Sequence, residues 1–305
     1  MTPDYGVLLA GGIAAGALVS WLLAPRLSVS RNALMDVIFW AVVGGVIGAR
    51  LLYVGVQWEY FVELCRNPGE LLPVGLPCSA GQACYPGQEC DGTWCQNVGD
   101  CVAAVKFWQG GWVFLGGVLG GIGAGAIAAG RNGVGVARGL SLMSVGLPLG
   151  HLFGRVGCHF QGCCFGKLSG HLLAVQGRFP VQLLEAAGEA VIFSMVLYYF
   201  MRVTAKARRN CHAVGVLELM SVPVLFLTLY SSMRFVTELV RGDELRGFVT
   251  RIPWPGLARV LDFPRREAVF FSTSQLISVF LLLLSGVFWV GYAFQRRKRL
   301  AAARG

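Results

Sequence analysis

Three arginines stand inside long apolar runs of this chain. They are Arg50 in GlyAlaArgLeuLeuTyr (48–53), Arg155 in GlyArgValGly (154–157), and Arg234 at the end of a run that closes with Glu238. Another apolar run opens with Gln182 and Glu185. Ionisable groups in such runs are expensive and mark function. Arginine stays protonated and offers a planar fork of donors that matches phosphate oxygens. Two readings compete. The arginines can pair with Glu185 and Glu238 to hold helices together, or snorkel to the interface. Alternatively, three guanidinium groups outnumber two carboxylates, and the surplus charge suits an anionic lipid headgroup. The surplus favours the anion site.

The segment His151–Gly166 carries more groups of chemical interest: Cys158, His159, Cys163 and Cys164. A CxxxxCC run lacks the short CxxC pairs of zinc sites, and cysteines at a membrane edge mostly pack. No metal and no cofactor are expected, although Cys158 has a disulfide to Cys163 or Cys164 open to it outside the cytoplasm. Glu185 and Glu189 are spaced i,i+4 on one helix face, as an acid–base pair or as partners for arginines. Gly110, Gly111, Gly116, Gly117, Gly120 and Gly121 permit tight helix contact, or leave backbone donors and room for a lipid. His171 and His212 carry little signal.

The elements that must position these groups follow from composition. Of 305 residues, 55% are hydrophobic and 14% charged, against roughly 25% charged in soluble domains. That excludes a soluble enzyme, a disordered chain and a nucleic-acid module. A span needs about 20 mostly apolar residues, and seven segments qualify, at about 5–25, 34–57, 107–130, 139–159, 182–203, 213–237 and 275–295. Runs such as 276–290 are too long and continuous for membrane strands. The expected fold is therefore an all-α integral membrane bundle of about seven helices, a single polytopic domain over 1–305.

Orientation follows from charge. Asp4 precedes the first apolar core and Arg26 follows it, the reverse of a cleaved signal. An outside N-terminus then places Arg26, Arg31, Arg131, Arg138, Arg202, Lys206, Arg208 and Arg209 inside, with the basic tail 296–305, as the positive-inside rule asks. The arginine-rich loop 238–274 falls outside, against the trend. Arg50, Arg155, Arg234, Glu238, Gln182 and Glu185 all fall just under the outer surface. The insertion 59–104 also lies outside, and holds Cys65, Cys78, Cys84, Cys90, Cys95 and Cys101. An even set outside the cytoplasm reads as disulfides, needed because the loop has no evident core of its own.

Six blocks together resemble the bacterial prolipoprotein diacylglyceryl transferase family. GlyArgValGly (154–157) with Gly162 and Gly166 is similar to its signature. Residues 48–53 are similar to its second-helix block and 108–121 to its third. Residues 179–186, 234–243 and 272–278 resemble its Pro-x-Gln-Leu-x-Glu, Arg-Phe-x-x-Glu and last-helix blocks. The resemblance covers most of the chain outside the cysteine loop and tail. It implies transfer of the diacylglyceryl group of phosphatidylglycerol to the lipobox cysteine of preprolipoproteins, forming a thioether, at the outer leaflet of the bacterial inner membrane. Phosphatidylglycerol, lipobox peptides and membrane lipids are the implied partners, with no nucleic acid and no cofactor. It implies that Arg155, Arg234 and Glu238 do the catalytic work, with Arg155 and Arg234 on phosphate. Arg50, Tyr53, Gly116, Gly117, Gly154, Gly157, Gln182 and Glu185 would bind substrate.

This sequence departs from the family's pattern at four places. Leu115 stands where the family usually has a histidine viewed as a base, Cys158 where it has asparagine, Gln161-Gly162-Cys163 where it has Asn-Gly-Glu, and Phe179 where a histidine precedes Pro180. Alternatives from other classes are a catalytically altered or inactive lipid-binding paralogue of the same fold, favoured by Leu115, and a membrane thiol oxidoreductase using Cys158, Cys163 and Cys164.

Overall fold

The computed structural model describes residues 3–66, 88–90, 92–106, 111, 113–209, 214–242, 248–264 and 268–302. Among these, nine α-helices form: α1 (Pro3–Leu23), α2 (Arg31–Val56), α3 (Trp58–Arg66), α4 (Phe114–Arg131), α5 (Val136–Gln161), α6 (Val181–Arg209), α7 (Val216–Glu238), α8 (Pro255–Val260) and α9 (Thr273–Ala302). Two two-stranded antiparallel sheets accompany them, β1 (Gln88–Cys90) with β2 (Cys95–Asn97), and β3 (Phe248–Pro253) with β4 (Ala268–Ser272).

Six helical segments are long and apolar enough to cross a membrane: Tyr5–Leu27, Arg31–Val56, Val136–Gln161, Val181–Ala207, Val216–Glu238 and Thr273–Lys298. They coincide with six of the seven expected spans, and the protein is an all-α multi-span membrane protein. The seventh expected span coincides with α4, whose 18 residues fall just short of the roughly 20 needed. Residues 107–110 and 112, which lead into it, lie outside the described residues. On α9, Ile277, Phe280, Leu284, Val287, Val290 and Phe294 are exposed at helical spacing. In a bilayer such a stripe needs no protein partner.

The chain divides into two compact units: Asn32–Val136, and Thr2–Arg31 with Ala137–Gly305. In the first, α2 and α4 meet through glycine. A Cβ at Gly48 would strike the Gly116 carbonyl, and one at Gly120 the Gly44 carbonyl. Backbone thus lies on backbone, the close approach that small residues permit in lipid.

The expected insertion opens with α3, an amphipathic helix that the sequence reading leaves in a loop. Its Phe61 and Leu64 bury against Ala103, with Tyr53 and Tyr60 packed alongside. The insertion therefore does have a small core, and the disulfide Cys65–Cys101 closes it. Cys90 and Cys95 are also disulfide-bonded, while Cys78 and Cys84 lie outside the described residues.

In the second unit, hydroxyls tie the helices together. Ser20 Oγ donates to Leu142 O at 3.0 Å, joining α1 to α5, and Ser141 Oγ donates to Leu219 O at 2.6 Å, joining α5 to α7. Trp289 Nε1 donates to Thr228 Oγ1 at 3.1 Å, joining α9 to α7. Beyond the ends of α5 and α7, Phe179, Val181, Val240, Ala258 and Phe263 form a second core. Lys167 N–H donates to Val240 O and Gly242 N–H to Phe165 O, both at 3.0 Å. These bonds bind the 162–180 loop to the segment after α7.

Candidate active site

The site is built on α5, α6 and α7 of the second unit. Glu185, in the first turns of α6, is only 1% exposed. A carboxylate that deep must be paired, and two arginines share it. Arg155 of α5 approaches Oε2 through Nε at 3.0 Å, and Arg234 of α7 approaches Oε1 through one Nη at 2.7 Å. The other Nη of Arg234 faces Glu238 Oε2 at 2.8 Å, one turn on. Thr237 Oγ1 donates to Glu185 Oε1 at 3.0 Å, and Arg234 donates to Ser274 Oγ at 3.4 Å.

Arg155 differs from Arg234 in one respect. Among the described residues Glu185 is its sole ion-pair partner, engaged through Nε. Its side chain is 24% exposed, against 13% for Arg234. Gly154 beside it has nothing within 4 Å of where a Cβ would stand, whereas Gly157 packs on the Tyr5 ring.

A second rung lies one helical turn from the first. His151 is i−4 from Arg155 and Glu189 is i+4 from Glu185, and the two meet at 3.2 Å, Nδ1 to Oε1. The His151 ring packs 5.1 Å from that of Tyr230. Glu189 is 1% exposed, and among the described residues its Oε2 has no hydrogen-bond partner. The sequence reading passes over this pairing. It was open only to the helical phase, in which residues four apart share a face on both helices.

The remaining predicted residues divide between the two units. Gln182 Nε2 donates to Cys163 O at 2.8 Å, tying α6 to the turn after α5. Arg50, Tyr53, Gly116 and Gly117 belong to the first unit. There the Arg50 guanidinium donates to Ala104 O at 2.8 Å, Ala103 O at 2.5 Å and Gly111 O at 3.1 Å. It lies 5.4 Å from the Tyr53 ring and 5.6 Å from that of Phe61. Gly116 packs against the Gly48 backbone and Gly117 against Ala49. Leu115 falls in the first turn of α4.

The three-to-two surplus of arginine expected from sequence takes a different form here. Arg155 and Arg234 match Glu185 and Glu238 one for one. Further positive charge stands at the end of α5, in residues that sequence reasoning left out. Lys167 is 1% exposed, and the backbone of Arg241 bridges to Gly166. A lysine in a glycine-rich loop reads as solvated, and nothing in its neighbours announces burial. Hydrogen bonds from the Cys158 and Cys163 thiols, with Arg241 and Arg155 nearby, pull the Cys164 thiol well below its ordinary range. Contact with Cys158 and Cys164 pushes Cys163 up.

These features define a multi-span helical membrane protein with a buried arginine–carboxylate network. The sequence model of the prolipoprotein diacylglyceryl transferase family matches residues 3–291, and the chain belongs to that family. A phosphatidylglycerol–prolipoprotein diacylglyceryl transferase of Gloeobacter violaceus is 28% identical over 255 residues, which is 79% of this chain and 78% of that one. Its namesake from Rhizobium meliloti is 27% identical over 269 residues, 82% of this chain and 80% of the other. That of Azotobacter vinelandii is 26% identical over 313 residues, 97% and 92%.

Proposed function

We infer that this protein is a transferase of lipoprotein maturation, moving the diacylglyceryl group of phosphatidylglycerol to prolipoproteins. The observation that carries the site assignment is the sharing of buried Glu185 by Arg155 and Arg234, with Arg155 engaged through Nε and its side chain 24% exposed. The acceptor is the lipobox cysteine. Its sulfur attacks the glycerol carbon that bears the phosphate, the C–O bond breaks, and glycerol phosphate leaves with the electron pair. Arg155 and Arg234 hold the phosphate and stabilise the charge that develops on the leaving oxygen. Glu185 and Glu238 hold both guanidinium groups in register. Gly154 leaves space beside Arg155, and Gln182 fixes the adjoining turn.

The thiol must lose a proton, and Leu115 cannot take one. His151 fills that role. Its Nδ1 faces Glu189, so Nε2 remains as acceptor, and after bond cleavage the proton passes to the departing phosphate. Arg50 and Tyr53 build the first unit, with Gly116 and Gly117 in its helix contact.

The site faces the outer leaflet of the bacterial inner membrane, with the N-terminus outside and the C-terminus in the cytoplasm. The disulfide Cys65–Cys101 supports an extracytoplasmic insertion over 59–104, since such bonds persist outside the cytoplasm. The exposed Arg296, Arg297 and Lys298 at the end of α9 support a cytoplasmic tail. The test is purified protein in phosphatidylglycerol vesicles with a lipobox peptide, the product weighed by mass spectrometry. A thioether-linked diacylglyceryl peptide is expected. Its absence with every lipobox peptide, from folded protein, overturns the reading.

A further inference from the structure

We propose that Cys158, Cys163 and Cys164 form a three-sulfur site for one thiophilic metal ion of the soft, closed-shell kind, represented by Cu(I) and Cd(II). The three Sγ atoms all lie within 4.8 Å of one another, and all three thiols are free. A metal–sulfur bond of about 2.3 Å places three sulfurs around one ion roughly 3.8–4.0 Å apart, so the cluster closes on an ion with small side-chain rotations. Thiolate sets select Cu(I) and its thiophilic neighbours over oxygen-loving cations.

The way the chain builds this cluster explains why its spacing resembles no short CxxC pair. The end of α5 is a glycine-capped turn. Gly162 has φ +68°, and its N–H donates to His159 O at 3.2 Å while the Cys163 N–H donates to Cys158 O at 3.1 Å. That pair of bonds, closing over six and four residues, is the Schellman arrangement, in which the residue after the glycine packs back over the one five positions earlier. A cysteine at each place brings two thiols together. Cys164 follows with φ +59°, a left-handed conformation uncommon for a residue with a Cβ. That turns the third thiol onto the first two.

The turn is anchored on two sides, by Gln182 Nε2 on Cys163 O and by the bridge from Gly166 to Arg241. A site held this way has its geometry set before the ion arrives. Cys158 is buried while Cys163 and Cys164 are half-buried, which leaves a path for entry. Arg155 is on the same helix three residues before Cys158, so occupancy acts on the turn that carries the phosphate-binding guanidinium. The metal site itself does not depend on the transferase reading.

The probe is Cd(II), followed by Cu(I) under anaerobic conditions, added to the purified full chain in detergent after mild reduction. Wild-type protein is compared with the variant Cys158→Ser, Cys163→Ser, Cys164→Ser, which keeps every other cysteine. One more equivalent of Cd(II) is expected in the wild type, with a thiolate-to-metal charge-transfer band that the variant lacks. Each single serine substitution is expected to weaken binding by at least about 100-fold, since even supporting residues around metal ligands cost 10–100-fold.

A second measurement needs no variant. Without metal, alkylation should label all three thiols on the peptide spanning them, and Cd(II) or Cu(I) should protect all three together. Equal Cd(II) uptake by wild type and variant, or labelling that metal leaves unchanged, overturns the proposal. So does a disulfide between Cys158 and either neighbour that survives mild reduction, which would mark the cluster as a cross-link.

Discussion

Arg50 in one unit and Arg155 in the other were indistinguishable by residue type and by the apolar runs around them. Their surroundings differ in kind. Arg50 is 6% exposed, and its fork is spent on the carbonyls of Ala103, Ala104 and Gly111. Arg155 meets Glu185 through Nε, its sole ion-pair partner among the described residues, and its side chain is 24% exposed. A guanidinium that serves carbonyls from distant stretches of chain acts as a clasp. One held by a single carboxylate, itself held by another arginine, is oriented and partly exposed. What separates the two arginines in this structure is how their donors are allotted.

The comparison can be broken from either side, and Arg234 gives the largest effect. Arg234→Ala removes a phosphate donor and strips both Glu185 and Glu238 of their shared partner. Loss of one member of a buried ion pair costs about 3–5 kcal/mol, so this variant should lose both measurable transfer and folded yield. Detergent-resistant monomer and product mass are the two readouts. Arg155→Ala should separate them. Transfer is expected to fall about 10²–10³-fold, as for loss of one preorganised donor. The fold should survive, because Glu185 keeps Arg234 and Thr237. Near-normal transfer in Arg155→Ala would remove it from the site.

His151→Asn ranks next. Loss of a general base costs about 10²-fold or more, and asparagine keeps a polar group facing Glu189. The charged and titratable groups around His151 are Glu189 on α6, Tyr230 on α7 and Arg155 on its own helix. The readout is the rate of transfer to lipobox peptide per folded molecule. A deep loss in protein as stable as wild type is expected. An unchanged rate would show that solvent takes the thiol proton.

The spans were legible because a bilayer demands unbroken apolar length, and length is visible in a linear string. The candidate arginines were legible for the same reason, since a charge stands out in such a run. What the string hid was allotment. The carbonyls that engage Arg50 come from residues 103, 104 and 111, more than fifty positions on, and no local pattern marks an acceptor carbonyl. The His151–Glu189 contact needs the rotation of two helices about their axes. The core of Phe61, Leu64 and Ala103 was missed because α3 is amphipathic and too short to read as a span. The 158–163 spacing did carry its answer, but only once Gly162 is recognised as a left-handed cap that folds the chain back on itself.

Arg50→Lys sharpens the comparison with the smallest effect on chemistry. Lysine keeps the charge, but its three donors sit on one nitrogen, so it cannot span the three carbonyls that Arg50 reaches from Nε and both Nη atoms. Two buried acceptors would lose their donors, at about 1–3 kcal/mol each, in the segment joining α3, the 103–105 turn and the entry to α4. The expected result is lower thermal stability and easier proteolysis around residues 103–106, with transfer per folded molecule within about threefold of wild type if the Arg50 donors stay on these carbonyls. A loss of transfer as deep as that of Arg155→Ala, in protein as stable as wild type, would mean that Arg50 releases its carbonyls for substrate. The two arginines would then differ only in when they are called upon.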